Sequence, residues 1–158
     1  MIMIQRVQSI YLLLVTVLMS FVLIRPYAAL DLTDGQTLTF RSYKIEYNAG
    51  SEQRSTYKST IPLVFLAVVT ALISFGNIFL YHRRIWQLRV CLINTVLIVV
   101  LLATMYLYYI RAKSSLDVAM HAFRLPAIYP LLCVFLSLLA YRNIHSDELL
   151  VNSYNRIR

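Results

Sequence analysis

The chain has 158 residues, 59% of them hydrophobic, with a mean hydropathy of +0.66 and a net charge of +8. Soluble domains are about 45–50% apolar, and water gives a helix no reason to be apolar on every face, so composition excludes a water-soluble bundle. The basic residues sit at the ends of apolar runs and are not interleaved with aromatics on a polar face, which suits lipid headgroups and excludes nucleic acid as the partner.

Four apolar runs, near residues 4–24, 61–81, 90–110 and 125–141, are predicted as membrane spans. A helix needs roughly 17–25 such residues to cross a hydrocarbon core of about 30 Å. The first run follows Arg6 and is longer than a secretory signal core, so it is expected to stay as an anchor. Arg25-Pro26 closes it, because the residue before proline is pushed out of helical geometry.

Residues 27–60 form the only sizeable polar segment. "TLTF" (37–40) and "YKIEY" (43–47) alternate at period two, "NAGS" (48–51) is a turn signal, and "RSTYKST" (54–60) is again compatible with a strand. A hairpin or three-stranded meander resting on the membrane face is expected. The second span opens at Ile61 with Pro62 in its first turn, where a missing N–H costs nothing. Ala67, Ala71 and Ser74 mark a packing seam, and Asn77 ends a small-polar notch, "ISFGN".

"LYHRRIWQLR" (80–89) is the densest basic cluster and joins spans 2 and 3. Arg83, Arg84 and Arg89 are expected to meet anionic headgroups, with Trp86 at headgroup depth. Span 3 carries Asn94, Thr95 and Thr104, and an asparagine in lipid needs a partner, most often on a neighbouring helix. Residues 111–124 are expected to form an interfacial amphipathic helix capped by Ser114 or Ser115, with Asp117 in its first turn and Val118, Met120 and Phe123 as its apolar content. Pro126 opens span 4, and Pro130 is expected to bend it one turn in.

The tail, 143–158, reads as one more short helix. Ser146 is its expected N-cap, Asp147 and Glu148 stand at the positive end of its dipole, and Arg156 and Arg158 at the negative end. Leu150, Tyr154 and Ile157 follow i, i+4, i+7 and share a face that suits headgroups or a partner. Four spans put both termini on one side. Positive charge has most force in short connections, so both termini are placed in the cytoplasm and loop 27–60 outside.

Little in the sequence suggests chemistry. The spans hold no Asp or Glu of the kind that ion-coupled transporters use, and His82, His121 and His145 are scattered, without a second ligand at i+3 or i+4. Cys91 and Cys133 lie in apolar runs and read as small buried hydrophobes. No cofactor, metal or catalytic residue is expected.

Three stretches together, "MIQRVQSIYLLL" (3–14), "LYHRRIWQLRVCLIN" (80–94) and "DELLVNSYNRIR" (147–158), resemble a Bacteroidetes family of small four-helix membrane proteins catalogued as domain of unknown function 4293. The resemblance covers the whole chain, implies a bacterial inner-membrane location and supplies no activity. The expectation is a single-domain, all-α membrane protein of four transmembrane helices, with a small β-containing extracytoplasmic loop and a short amphipathic C-terminal helix. Its expected role is that of a non-catalytic accessory or scaffolding subunit in an assembly for protein export or envelope biogenesis. Its partners are membrane lipids and other inner-membrane proteins. They would be met through Arg6, Arg83, Arg84, Trp86, Arg89 and the tail. The alternatives are a binder of lipid or small apolar molecules, using a pocket near Asn77, Asn94 and Thr104, and a small transporter.

Overall fold

The computed structural model describes residues 2–32, 36–49, 53–80, 84–115 and 118–156. Four helices, α1 (Ile2–Ile24), α2 (Ile61–Phe79), α3 (Arg84–Ser115) and α4 (Tyr129–Arg156), stand in a ring: α1 packs on α2 and α4, and α3 packs on the same two. Three helical stretches, Ile61–Phe79, Ile85–Ser114 and Leu125–Ser146, are long and apolar enough to cross a membrane, and α1 adds a shorter apolar stretch, Gln8–Ile24.

Each helix buries a stripe at three- and four-residue spacing. On α2 it is Leu63, Ala67, Thr70, Ser74 and Asn77; on α1 it is Leu12, Val15, Met19 and Val22. The opposite faces are apolar as well: Phe65, Leu72, Phe75 and Phe79 on α2 and Ile10, Leu13, Val17 and Phe21 on α1 are all exposed. Small and polar side chains inside with large apolar ones outside is the arrangement that lipid, and not water, stabilises.

Five antiparallel strands cover one end of the ring: β1 (Ala28–Leu32), β2 (Thr37–Phe40), β3 (Lys44–Ala49), β4 (Gln53–Ser59) and β5 (Val118–Phe123), in the order β4-β3-β2-β1-β5. The register pairs Ala28 with Phe40, Leu30 with Leu38, and Phe40 with Ile45, so these five residues share a face. That face is fully buried against Val22, Leu63, Ala67, Leu101, Met105 and Tyr109 of the helices. The sheet is therefore a lid on the bundle and not a free hairpin.

A hydrogen-bonded corner fixes the lid. The Ser42 hydroxyl, in the β2–β3 turn, donates to the Val22 carbonyl at 2.6 Å, filling an acceptor left open in the last turn of α1. The Ser42 carbonyl accepts from the Thr60 hydroxyl at 2.8 Å, just before α2 begins. Thr60 consequently makes no side-chain cap to its own helix.

Three expectations are corrected. Residues 111–124 are not an interfacial helix. α3 continues to Ser115, where the Ser114 hydroxyl donates back to the Arg111 carbonyl at 3.1 Å in place of capping a new helix. Val118–Phe123 pairs with β1, Ala28 opposite Phe123 and Asp31 opposite Met120, which satisfies the backbone edge that β1 presents. Asp117 lies outside the described residues. The tail is not a separate short helix either: α4 runs unbroken to Arg156, since no glycine or proline interrupts 131–156 and nothing stops the hydrogen-bond ladder at Ser146. Pro126 sits in a 3-10 turn, Leu125–Ala127, and Pro130 falls in the first turn of α4, where its missing N–H removes no internal bond. The meander itself is larger than expected, because β1 and β5 join the strands read from 37–59.

Removing the corner is expected to loosen the lid. Ser42→Ala should cost about 1–2 kcal/mol, because it orphans the buried Val22 carbonyl. Phe40→Ala should cost about 3–5 kcal/mol through the cavity it leaves. Thr104→Val should stay within about 0.5 kcal/mol, since the Thr104 hydroxyl only donates back to Val100 of its own helix. Unfolding of the purified chain in mild detergent reads all three.

Candidate functional site

Polar side chains gather in the half of the bundle remote from the sheet. The Asn94 amide donates to the Ser74 hydroxyl at 2.7 Å, linking α3 to α2. The Gln87 amide donates to the Asn77 carbonyl at 3.4 Å, and the Cys91 thiol donates to the Ser137 carbonyl at 3.4 Å, linking α3 to α4. All of these residues are almost fully buried. Among the described residues the Asn77 side chain, the Asn94 carbonyl oxygen and the Ser137 hydroxyl have no hydrogen-bond partner. This is helix-joining chemistry, as expected for Asn94.

The residues singled out for a pocket do not come together. The Thr95 hydroxyl donates to the Cys91 carbonyl of its own helix at 2.9 Å. Thr104 lies ten residues beyond Asn94, about 15 Å along α3 at 1.5 Å per residue. Asn77, Asn94 and Thr104 therefore do not line one cavity. Gln87 escaped the sequence reading because it stands inside the basic stretch. The signal that finds it is the buried seam of α3, in which Gln87, Cys91, Asn94, Ile98 and Leu101 recur at three and four.

The basic connection is shorter than expected. Arg84–Arg89 already forms the opening of α3, with Trp86 and Arg89 exposed and the Arg89 guanidinium 5.7 Å from the Trp86 ring centre. Tyr81, His82 and Arg83 lie outside the described residues, as does Arg158. The backbones of Arg6, Arg84, Asp147, Glu148, Leu150, Tyr154 and Arg156 are placed in α1, α3 and α4, and their side chains lie outside what is described.

Two cavities at the sheet end have no counterpart in the sequence reading. The first, about 300 Å³, lies between α3 and α4 and is lined by Tyr27, Leu102, Met105, Tyr109, Phe123 and Leu131, among others. Tyr27 is 2% exposed, and its hydroxyl has no hydrogen-bond partner among the described residues. Burial, with nearby Tyr108 as the second cause, pushes the Tyr27 phenol above its ordinary range, so it remains a proton donor. The second cavity, about 600 Å³, lies between the ends of α1 and α4, and Arg25 and Arg124 both line it. The two cavities meet at Phe123. The Arg124 N–H donates to the Tyr27 carbonyl at 3.1 Å, and this pairing brings Arg124 to the cavity that Arg25 also lines.

Elsewhere on the sheet, Glu46 is buried between Arg41, at 3.5 Å, and Lys44. Both cations also lie over the Tyr43 ring. Among the described residues no three His, Cys, Asp or Glu side chains are grouped to hold a metal.

The two asparagines should respond to substitution with opposite signs. Asn94→Ala removes the bond to Ser74 and is expected to cost about 0.6–2 kcal/mol. Asn77→Leu replaces an unpartnered amide by an apolar side chain of similar volume and should be neutral or stabilising by up to about 1 kcal/mol. Thermal unfolding in detergent distinguishes the two.

The family model of a domain of unknown function (DUF4293) matches residues 4–157, nearly the entire chain, and the protein belongs to that family. No curated protein matches it.

Proposed function

We propose that this DUF4293 member is a non-catalytic accessory subunit of a larger bacterial inner-membrane assembly, anchored by four spans with both termini in the cytoplasm. The continuity of α4 carries the reading. Its 28 residues make a rod of about 42 Å, against a hydrocarbon core of about 30 Å, so a rigid stalk of two turns or more stands clear of the membrane. That stalk bears Asp147, Glu148, Leu150, Tyr154 and Arg156, a segment that mixes acidic, apolar and basic residues within three turns. An unbroken helix presents such a segment without the ordering cost that a flexible tail carries on binding.

The fourth span of this reading is α1, supported by its place between α2 and α4 and by its exposed apolar face. The orientation rests on the connection at the other end, since on the sheet side Arg41 and Lys44 are paired with Glu46 but Arg25 and Arg124 are not. The basic connection at the other end keeps Arg89 exposed in a short link, where positive charge has most influence on orientation. Protein export and envelope biogenesis are the kinds of host such a subunit suits. The sheet-end cavities favour a second, compatible activity, the binding of lipid.

A photocrosslinker at position 150 or 154 of the full chain, activated in intact cells, should give a discrete adduct with one membrane protein. Glutamate at whichever of Leu150 and Tyr154 does not carry the crosslinker should abolish that adduct while leaving the unfolding temperature of the bundle unchanged. Recovery of the chain alone from both positions, at its monomer mass, overturns the docking reading.

A further inference from the structure

From the paired cavities at the sheet end we infer a binding site for one anionic glycerophospholipid, drawn from the leaflet on that side. The inference rests on the membrane placement above, but not on the docking of the stalk.

The chemistry gathered around the two adjoining cavities carries it. At the level where α1 ends and α4 begins stand Arg25 and Arg124, both exposed, and neither makes an ion pair among the described residues. No carboxylate lines their cavity. The first turn of α4 adds the positive end of a helix dipole. Tyr27, which lines the adjoining cavity, has a buried hydroxyl with no partner among the described residues. The rest of that cavity is lined by aliphatic and aromatic side chains, Tyr106 and Tyr109 among them, with Met105 and Ile128 and then Leu102 and Leu131 one helical turn further from the sheet on α3 and α4. Two cations beside a buried neutral donor and an apolar channel complement the phosphate, ester carbonyl and acyl chain of one lipid.

The two cavities flank the start of α4, so the lipid straddles it, with phosphate on the α1 side and one chain on the α3 side. Phe123, exposed and shared by both, is the saddle it crosses. A neutral or zwitterionic lipid would leave the arginines without a net counter-charge, which selects the anionic class. A soluble phosphate ester would fill the first cavity and leave the apolar one empty.

The test uses the full chain in nanodiscs of equal dioleoyl phosphatidylglycerol and phosphatidylcholine, read by native mass spectrometry after release. The expected result is one retained phosphatidylglycerol per chain, preferred over phosphatidylcholine by roughly tenfold or more, as charge-assisted hydrogen bonds imply. Arg25→Gln with Arg124→Gln should abolish the preference, and Tyr27→Phe, which keeps the ring, should weaken retention of both lipids. Leu131→Trp, which fills the channel and leaves the arginines, should reduce retention as well. Glycerol 3-phosphate in excess should not displace the lipid. Equal retention of the two lipids by the unaltered chain overturns the proposal even if every variant fails to fold. A preference that survives the arginine pair overturns it too, and displacement by glycerol 3-phosphate assigns the site to a soluble ester. Loss of the lipid preference with the stalk adduct intact removes this site alone, and the reverse removes only the docking reading.

Discussion

Everything at the sheet end depends on the hydrogen-bonded corner at Ser42. A helix that leaves a membrane exposes carbonyl groups in its last turn, and at the boundary of lipid and protein water does not reach all of them. At α1 one of these, Val22, is met by the Ser42 hydroxyl. The same residue offers its own carbonyl to Thr60. One turn of three residues thus holds the end of one helix, the bend of a hairpin and the start of the next helix. With that point fixed, the period-two alternation of β2 and β3 decides the rest: Leu38, Phe40 and Ile45 turn toward the bundle, and their cross-strand partners Ala28 and Leu30 follow. A corner lost would leave the sheet attached only through the connections to the helices, and a two-stranded piece of it would be marginal in water.

The bundle below is built in two halves of different character. Near the sheet the core is aromatic and aliphatic, with Tyr27, Phe40 and Tyr109 in contact at ring separations of about 6 Å. Remote from it, Ser74, Gln87, Asn94 and Ser137 replace large side chains. Lipid supplies no hydrophobic force between helices, so attraction must come from packing and from bonds such as that of Asn94 to Ser74. The sheet supplies an equivalent constraint at the other end. Each half therefore has its own clamp: interhelical polar contacts far from the sheet, and the corner with its buried face next to it. Gly76 is not part of either, since a Cβ there would meet nothing within 4 Å.

What the sequence disclosed follows the range of the interactions involved. The end of α1 at Arg25-Pro26, the start of α2 at Ile61, the strand at 37–40 and most of the strand read at 43–47 were legible, because each is set by residues within one turn or one pleat, whereas Asn48 and Ala49, read as a turn, continue β3. β1 and β5 were not. "AALDL" and "VAMHAF" have no strong alternation; β1 becomes a strand by pairing with both β2 and β5, and β5 by meeting β1 from some ninety residues away. The Ser-Asp-Glu at 146–148 imitates a helix start. Those residue types cost only a few tenths of a kcal/mol inside a helix, too little to stop one already propagating from Tyr129. Among candidate site residues, Asn94 was legible as a polar group that must find a neighbour in lipid. That Asn77 would keep an unpartnered side chain was not, because the difference lies in which residue faces which across the ring. Arg25 and Arg124 read as ordinary flanking charges, and only the pairing of β1 with β5 sets them on one cavity.

Tyr27 shows how the fold places a polar group where a plain hydrophobe would be more stable. Its N–H donates to the Phe40 carbonyl at 3.0 Å, and its carbonyl accepts from the Arg124 N–H at 3.1 Å. With the backbone gripped from both sides and the ring against Phe40, the side chain has no freedom to carry its hydroxyl to water. Burying the ring is worth about 3 kcal/mol, and leaving the hydroxyl unpartnered costs about 1–3 kcal/mol, so the fold tolerates the residue without benefit from the oxygen. Phenylalanine would keep the burial and avoid the cost. The hydroxyl gains a purpose only if something enters the cavity with an acceptor at that depth. Of the molecules that surround a membrane protein, those that carry an ester carbonyl a few ångströms beneath a phosphate are the glycerophospholipids themselves.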